Sequence, residues 1–216
     1  MLELGLKALI AYLLGSIMGA LVIGALQGVD IREQGSGNAG GTNALRTQGF
    51  WFAAGVVVID IGKGVLAAGW LPGLGIPGVG EDSGIDRGWL AAACAAAAVA
   101  GHVWPLYHDF RGGKGGATLV GALLVLAPAV VPLALVAWLL LVMLTGYAGL
   151  ATMIAAAGIP VALWMLGADS PPSFSFTIAM AAFLVYTHRS NIERMKRGTE
   201  SRLNRLWLLR PRSRPS

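Results

Sequence analysis

Apolar runs punctuated by glycine, proline and charge organise the 216-residue chain, at roughly 4–26, 50–71, 89–107, 116–127, 129–146, 149–167 and 173–188. A bilayer core about 30 Å thick asks for about 20 mostly apolar residues per crossing helix. The pattern therefore predicts an all-α integral membrane protein with about seven transmembrane helices. The first run is long enough to span and lacks a small-residue cleavage site after a short core, so it reads as a helix that stays, not a removed signal. The fourth run is short and meets Ala127-Pro128-Ala129. Segment 116–146 is thus either one kinked span or a half-helix and a full helix folded as a hairpin.

Charge gives these helices a direction. Loops 27–49 (Arg32, Arg46) and 108–115 (Arg111, Lys114) and the segment after 188 are basic, whereas 72–88 holds Glu81, Asp82 and Asp86 against Arg87. Basic loops belong on the cytosolic side. That requires an odd number of spans, an N-terminus outside and a cytosolic C-terminus, which seven spans satisfy and five would too.

Composition agrees: 56% of residues are hydrophobic, 12% are charged and the mean hydropathy is +0.67, against roughly a quarter charged in soluble domains. We expect one membrane domain over 1–200 and a basic cytosolic tail over 201–216. The net charge of +5 comes largely from Arg189, Arg194, Lys196, Arg197, Arg202, Arg205, Arg210, Arg212 and Arg214. Such a juxtamembrane cluster suits anionic headgroups and not nucleic acid. The single cysteine, Cys94, in an alanine-rich apolar stretch, excludes a disulfide framework and a cysteine metal site. No internal repeat suggests a transporter core. Gly15/Gly19 and Gly24/Gly28 have the small-xxx-small spacing of close helix contacts.

Four segments carry chemistry. In Gln34–Arg46, glycines 35, 37, 40 and 41 let backbone N–H groups turn toward an anion, Ser36, Asn38, Thr42 and Asn43 add donors, and Arg46 can grip two phosphate oxygens. Gly35-Ser-Gly-Asn-Ala-Gly40 also matches a dinucleotide fingerprint, but that motif needs a strand before it and a helix after it, and here it follows an apolar helix. Gly101–Thr118 ends a helix and presents Lys114 among glycines, Gly113 included, with the next helix start adding donors. His102 there is either a relay or a packing residue. In Thr187–Glu200, His188, Asn191 and Arg194 would share one face if the last helix continues, and Lys196 and Arg197 read as membrane anchors. Asp60 and Lys63 lie three apart in an apolar run, where charge is costly; they read as an ion pair in which Lys63 reaches a cavity and Asp60 orients it, or as a structural pair.

Gly35-Ser-Gly-Asn-Ala-Gly-Gly-Thr-Asn43, Gly112-Gly-Lys-Gly115 and His188-Arg-Ser-Asn-Ile-Glu-Arg194, in this order, resemble the bacterial acyl-phosphate:glycerol-3-phosphate acyltransferases, the PlsY family. The likeness includes Gly15-Ser16 and Asp60-Ile-Gly-Lys-Gly64 and thins after Glu200. Two positions depart from the family pattern: Gly41 stands where alanine is usual and Met18 where proline is usual. The resemblance implies a seven-helix inner-membrane enzyme with a cytosolic site. It would move an acyl group from acyl phosphate to the first hydroxyl of glycerol 3-phosphate, giving 1-acylglycerol 3-phosphate and phosphate. It further implies catalytic roles for Ser36, Arg46, Lys114, His188 and Asn191. Substrate-binding positions would be Gly35, Gly37, Asn38, Gly40, Thr42, Asn43, Lys63, His102, Gly113, Thr118, Arg189, Arg194 and Glu200.

Both substrates carry phosphate, so cations and amide donors have a plain task, and positioning should dominate the rate. Acyl phosphate is already activated, which leaves no part for a metal or cofactor. The His-x-x-x-x-Asp motif of acyl-CoA-dependent acyltransferases is absent: Tyr107 follows His102 at that spacing and Glu193 follows His188. G-x-S-x-G is absent as well, because Gln34 precedes Gly35-Ser36. Direct attack by the glycerol hydroxyl follows, with either His188 or the acyl phosphate's own phosphate taking the proton. The rival classes are a transporter for phosphate or an anionic lipid and a non-catalytic lipid-binding scaffold. Acyl-chain preference is a property of the groove between helices.

Overall fold

All of the expected apolar runs are helical in the computed structural model, which describes residues 1–168, 170–204 and 206–209, with no strand among them. The helices are α1 (Leu2–Gly15), α2 (Gly19–Gln27), α3 (Gly41–Thr47), α4 (Phe50–Val65), α5 (Arg87–Val103), α6 (Gly116–Leu126), α7 (Val130–Thr145), α8 (Ala148–Met165), α9 (Pro171–Thr187) and α10 (Arg189–Lys196). A π-helical turn, Leu66–Trp70, and a short 3₁₀ turn extend α4 to Gly73. Four segments are long and apolar enough to cross a membrane: Leu2–Gln27, Phe50–Gly73, Arg87–His108 and Ala148–Met165. The other three apolar helices are shorter. At 1.5 Å per residue α6 rises only about 16 Å, about half a hydrocarbon core.

The segment 116–146 is two helices. Ala127 leaves helical geometry (φ −156°, ψ 60°) ahead of Pro128, and α7 begins two residues later. The outer ends of the pair meet the same part of the molecule: α6 starts beside Lys114, and Leu203 N donates to the Gly146 carbonyl at 2.8 Å just past α7. The pair is therefore a hairpin, its turn near the start of α9, where Ser173 Oγ donates to the Leu126 carbonyl at 3.0 Å.

At the opposite end from that cluster of loops, charges close on one another. The N-terminal amine pairs with Asp82, Arg87 with Glu81 and with Glu3 (2.6 Å), and buried Lys7 reaches both Glu3 (2.7 Å) and the Pro72 carbonyl (2.7 Å). Of the acids in the 72–88 loop, Asp82 holds the start of α1, Glu81 pairs with Arg87, and Asp86 caps α5 by accepting from Gly88 N at 2.8 Å.

The first apolar run is not one helix, as expected, but two. Met18 is extended (φ −93°, ψ 110°), which strands backbone groups inside an apolar layer. Lys63 repairs the break: its ammonium donates to the Gly15 and Ile17 carbonyls, both at 2.8 Å, while Asp60 Oδ1 accepts from Gly19 N at 3.3 Å. Close backbone contacts fix neighbouring helices. Gly15 lies against the Ala98 backbone and Gly101 against Tyr12, joining α1 to α5; Gly64 and Gly121 do the same for α4 and α6, against Thr118 and Ile61. Gly24 and Gly28 are a correction to the helix-contact reading. They build the end of α2, with Gly28 left-handed (φ 67°) and Val29 N donating to the Gly24 carbonyl at 2.8 Å. On the outside, Leu133, Val136, Leu140 and Leu144 form an exposed apolar stripe along α7, fit for lipid.

Candidate active site

The first glycine loop is folded by one buried side chain. Asn43 accepts from Ser36 N (3.0 Å) through Oδ1 and donates from Nδ2 to the Ile31 and Gln34 carbonyls, each at 3.0 Å. Its amide is thus engaged with the loop's own backbone. Gly35 and Gly37 are left-handed (φ 58° and 71°), a conformation other residues reach only at a cost. They turn the chain into α3, whose first amides have no partner within the helix; Gly40 at its N-cap and Gly41 and Thr42 in its first turn line a cavity. Arg46, in the last turn of α3, is exposed and approaches the Ser201 carbonyl at 3.5 Å. Arg32 ties this loop to the next: it forks onto Asp30 (2.7 Å) and reaches the His108 carbonyl (3.3 Å), and this guanidinium holds the Asp30 carboxyl below its ordinary range.

The middle loop folds back on the end of α5. Gly113 N donates to the His102 carbonyl at 3.0 Å, and Gly113 lies flat against the His102 ring, where a Cβ would overlap Nε2. His102 Nδ1 lies 3.5 Å from Asp60 Oδ1, which pairs with Lys63 at 3.0 Å. All three are almost wholly buried. Lys114, beyond Gly113, donates to Asn191 Oδ1, and its own carbonyl accepts from Thr187 Oγ1 at 3.0 Å. Burial pushes the Lys114 ammonium down to about 8; the Arg194 guanidinium adds to the shift and Glu200 opposes it.

The third segment continues from α9 into α10 through His188, so His188 and Asn191 share a buried face. His188 Nδ1 lies 2.8 Å from the Leu184 carbonyl. A carbonyl only accepts, so Nδ1 carries the proton and Nε2 keeps a free lone pair. Asn191 Nδ2 donates to Glu200 Oε1 and Arg194 Nε to Glu200 Oε2, both at 2.6 Å. A chain of hydrogen bonds thus joins Arg194 through Glu200 and Asn191 to Lys114. Arg189 lies elsewhere, its guanidinium over the Tyr186 ring at 4.4 Å.

These segments enclose a cavity of about 520 Å³. Ser36, Asn38, Gly40, Thr42, Asn43, Arg46, His102, Lys114, His188, Asn191 and Glu200 all line it. Gly35, Gly37 and Gly113 shape the loops without lining it, and Arg189 and Arg194 stay outside. Thr118 is buried in the contact of α6 with α4, its hydroxyl without a partner among the described residues. The expected parts of the intramembrane pair are reversed: Asp60 lines the cavity, whereas Lys63 turns away to the broken first helix. The physical reason is that two stranded carbonyls offer Lys63 better partners than an open cavity.

Sequence reasoning missed the apolar wall, made by Val57, Val120, Leu135, Trp138, Leu203 and Leu206. Leucines facing a cavity and leucines facing lipid look alike in a membrane sequence. Of the basic tail, Arg205, Arg210, Arg212 and Arg214 lie outside the described residues. Its start packs on the bundle: Leu203 is buried with Val142, Ala148 and Ala151, and Arg202 stacks between Tyr147 (4.5 Å) and Trp207 (3.9 Å).

A bundle of apolar helices around a cavity lined by Arg46, Lys114 and His188 together with leucines defines an integral membrane protein with a polar pocket. Relatives make this specific. Residues 6–198 match the glycerol-3-phosphate acyltransferases, and the chain belongs to that family. It is 41% identical over 201 residues to the glycerol-3-phosphate acyltransferase of Synechococcus elongatus, covering 91% of this chain and 92% of that one. The Clostridioides difficile enzyme of the same name is 38% identical over 197 residues, covering 91% and 93%. Two crystal structures of PlsY (YgiH), an integral membrane glycerol 3-phosphate acyltransferase, are 30% identical to it. The glycerol 3-phosphate form gives a TM-score of 0.79 over 93% of this chain and 95% of that one, and the lysophosphatidic acid form 0.80 over 95% and 98%.

Proposed function

We propose that this chain transfers a fatty acyl group from an acyl phosphate to the sn-1 hydroxyl of glycerol 3-phosphate, forming lysophosphatidic acid and inorganic phosphate. The observation that carries the reading is the mixed lining of one cavity, in which Arg46, Lys114 and the start of α3 share the space with leucines and Trp138. An acyl phosphate has that mixed character. The relatives' names and the neighbours' glycerol 3-phosphate and lysophosphatidic acid forms support the acceptor and the product.

Two phosphates repel each other, and the cations offset that repulsion while holding the hydroxyl near the acyl carbon. The hydroxyl oxygen bonds to that carbon, the carbon–oxygen bond to phosphate breaks, and phosphate leaves with the bonding pair. The hydroxyl proton passes to His188 Nε2 or to the donor's phosphate. Asn191, held by Glu200, positions Lys114. The clustering of the basic segments at the site end supports a cytosolic site in a bacterial inner membrane, in a chain crossing seven times.

Purified protein supplied with palmitoyl phosphate and glycerol 3-phosphate should release lysophosphatidic acid. No product, together with phosphate uptake into liposomes, would favour a transporter instead. His188→Ala separates the two proton acceptors. A loss of about 10²-fold or more assigns the imidazole, and a near-normal rate assigns the donor's phosphate.

A further inference from the structure

A second, apolar hollow of about 60 Å³ lies between α6, α7, α8 and α9. Five residues line both it and the large cavity: Gly116, Val120, Leu135, Trp138 and Thr152. Leu123, Val131 and Ile159 line the hollow alone; Leu123 and Ile159 stand seven residues after Gly116 and Thr152, and Val131 seven before Trp138 on the antiparallel α7. The hollow therefore continues the large cavity about two turns deeper, away from the phosphate-binding end. Trp138 is the largest of the shared residues. Its indole N–H donates to Thr152 Oγ1 at 3.0 Å, and that hydroxyl donates to the Ala148 carbonyl at 2.9 Å. The ring is thus pinned across the junction between the two spaces.

We propose that Trp138 is the floor of the acyl-chain subsite and sets the length of chain the enzyme prefers. The inference rests on the acyl-donor reading above. With the donor's phosphate at Arg46 and Lys114, its tail lies among the apolar residues of the same cavity, and Val120, Leu135 and Trp138 carry that lining on into the hollow. The hollow beneath has no charged residue in its lining, so water there would find few partners, whereas methylenes would fit. Its volume holds roughly four water-sized groups, which corresponds to a few carbons of chain.

The test is a series of saturated acyl phosphates from ten to twenty carbons, assayed for kcat/KM with glycerol 3-phosphate. Trp138→Ala should move the optimum about two to four carbons longer, with a gain of roughly four-fold for each methylene newly buried. Trp138→Phe should shift it less in the same direction, and it carries the test if the alanine variant does not survive extraction. Ala155→Leu fills the hollow from α8. Alone it should leave the profile unchanged, because the indole already bars entry, and combined with Trp138→Ala it should restore the wild-type optimum. An unchanged profile in both active Trp138 variants would overturn the assignment, as would a shift that Ala155→Leu does not reverse. If the wild type transfers no chain of any length, the acyl-donor reading falls and this inference with it.

Discussion

Single side chains divide here between those that face the ligand and those that hold them in place. Lys114 and Arg46 line the cavity with no carboxylate paired to either among the described residues, so Lys114→Ala and Arg46→Ala should each lower kcat/KM by about 10² or more, the scale expected for removing one preorganised donor. Size-exclusion profiles should stay unchanged. Wild-type activity in both variants would sink the site assignment. Burial holds the Lys114 ammonium near 8, so the charge is mostly present at pH 7 and is lost as pH rises through about 8. We expect kcat/KM to fall on that alkaline limb. Glu200 favours the charged form, so Glu200→Gln should move the limb to lower pH; a shift upward would contradict the arrangement. Of the two readings of this pair, a Lys63 that reaches the cavity or a structural ion pair, the fold excludes the first: Asp60 lines the cavity and Lys63 does not. Which of two residues three apart turns inward depended on a break in another helix, and nothing in their own spacing carries that information.

Among elements, the backbone contacts of α4 with α6 leave no room for a side-chain carbon. Gly121→Ala would press a Cβ on the Ile61 backbone, whereas Gly62, on α4 itself, has open space. Overpacking of this kind costs about 1–3 kcal/mol, so thermal unfolding in detergent should show Gly121→Ala destabilised and Gly62→Ala near wild type. The broken first span depends on the buried Asp60–Lys63 pair, both about 97–99% buried by side chain. Lys63→Met takes the ammonium away from a buried carboxylate and from the Gly15 and Ile17 carbonyls, a loss of about 3–5 kcal/mol. Adding Asp60→Asn should recover part of it, and full additivity of the two losses would count against direct coupling.

At the scale of the whole molecule, three loops far apart in sequence become one site because the apolar helices return the chain repeatedly to the same end. The start of the tail closes that site. Ending the chain at Glu200 keeps the carboxylate on Asn191 and removes Leu203 and Leu206 from the wall. With a buried leucine worth about 1.5–3 kcal/mol, the donor KM should rise on the order of ten-fold with little change in kcat. Unchanged KM would show that the wall is complete without these residues.

The sequence by itself determined the medium, the helical class and the chemistry. Uninterrupted apolar runs have no stable place but a bilayer or a core. Glycines beside Arg46 and Lys114, with His188 and Asn191 in a third segment, carry the resemblance to one family. The hairpin at Pro128, the half-length α6, the division of labour between Asp60 and Lys63, and the place of Trp138 between the two spaces were decided only by tertiary structure. In each case hydropathy is blind to the outcome, since a leucine toward lipid and one toward ligand are equally apolar. A buried charge, likewise, takes whichever partners the neighbouring backbone leaves unsatisfied.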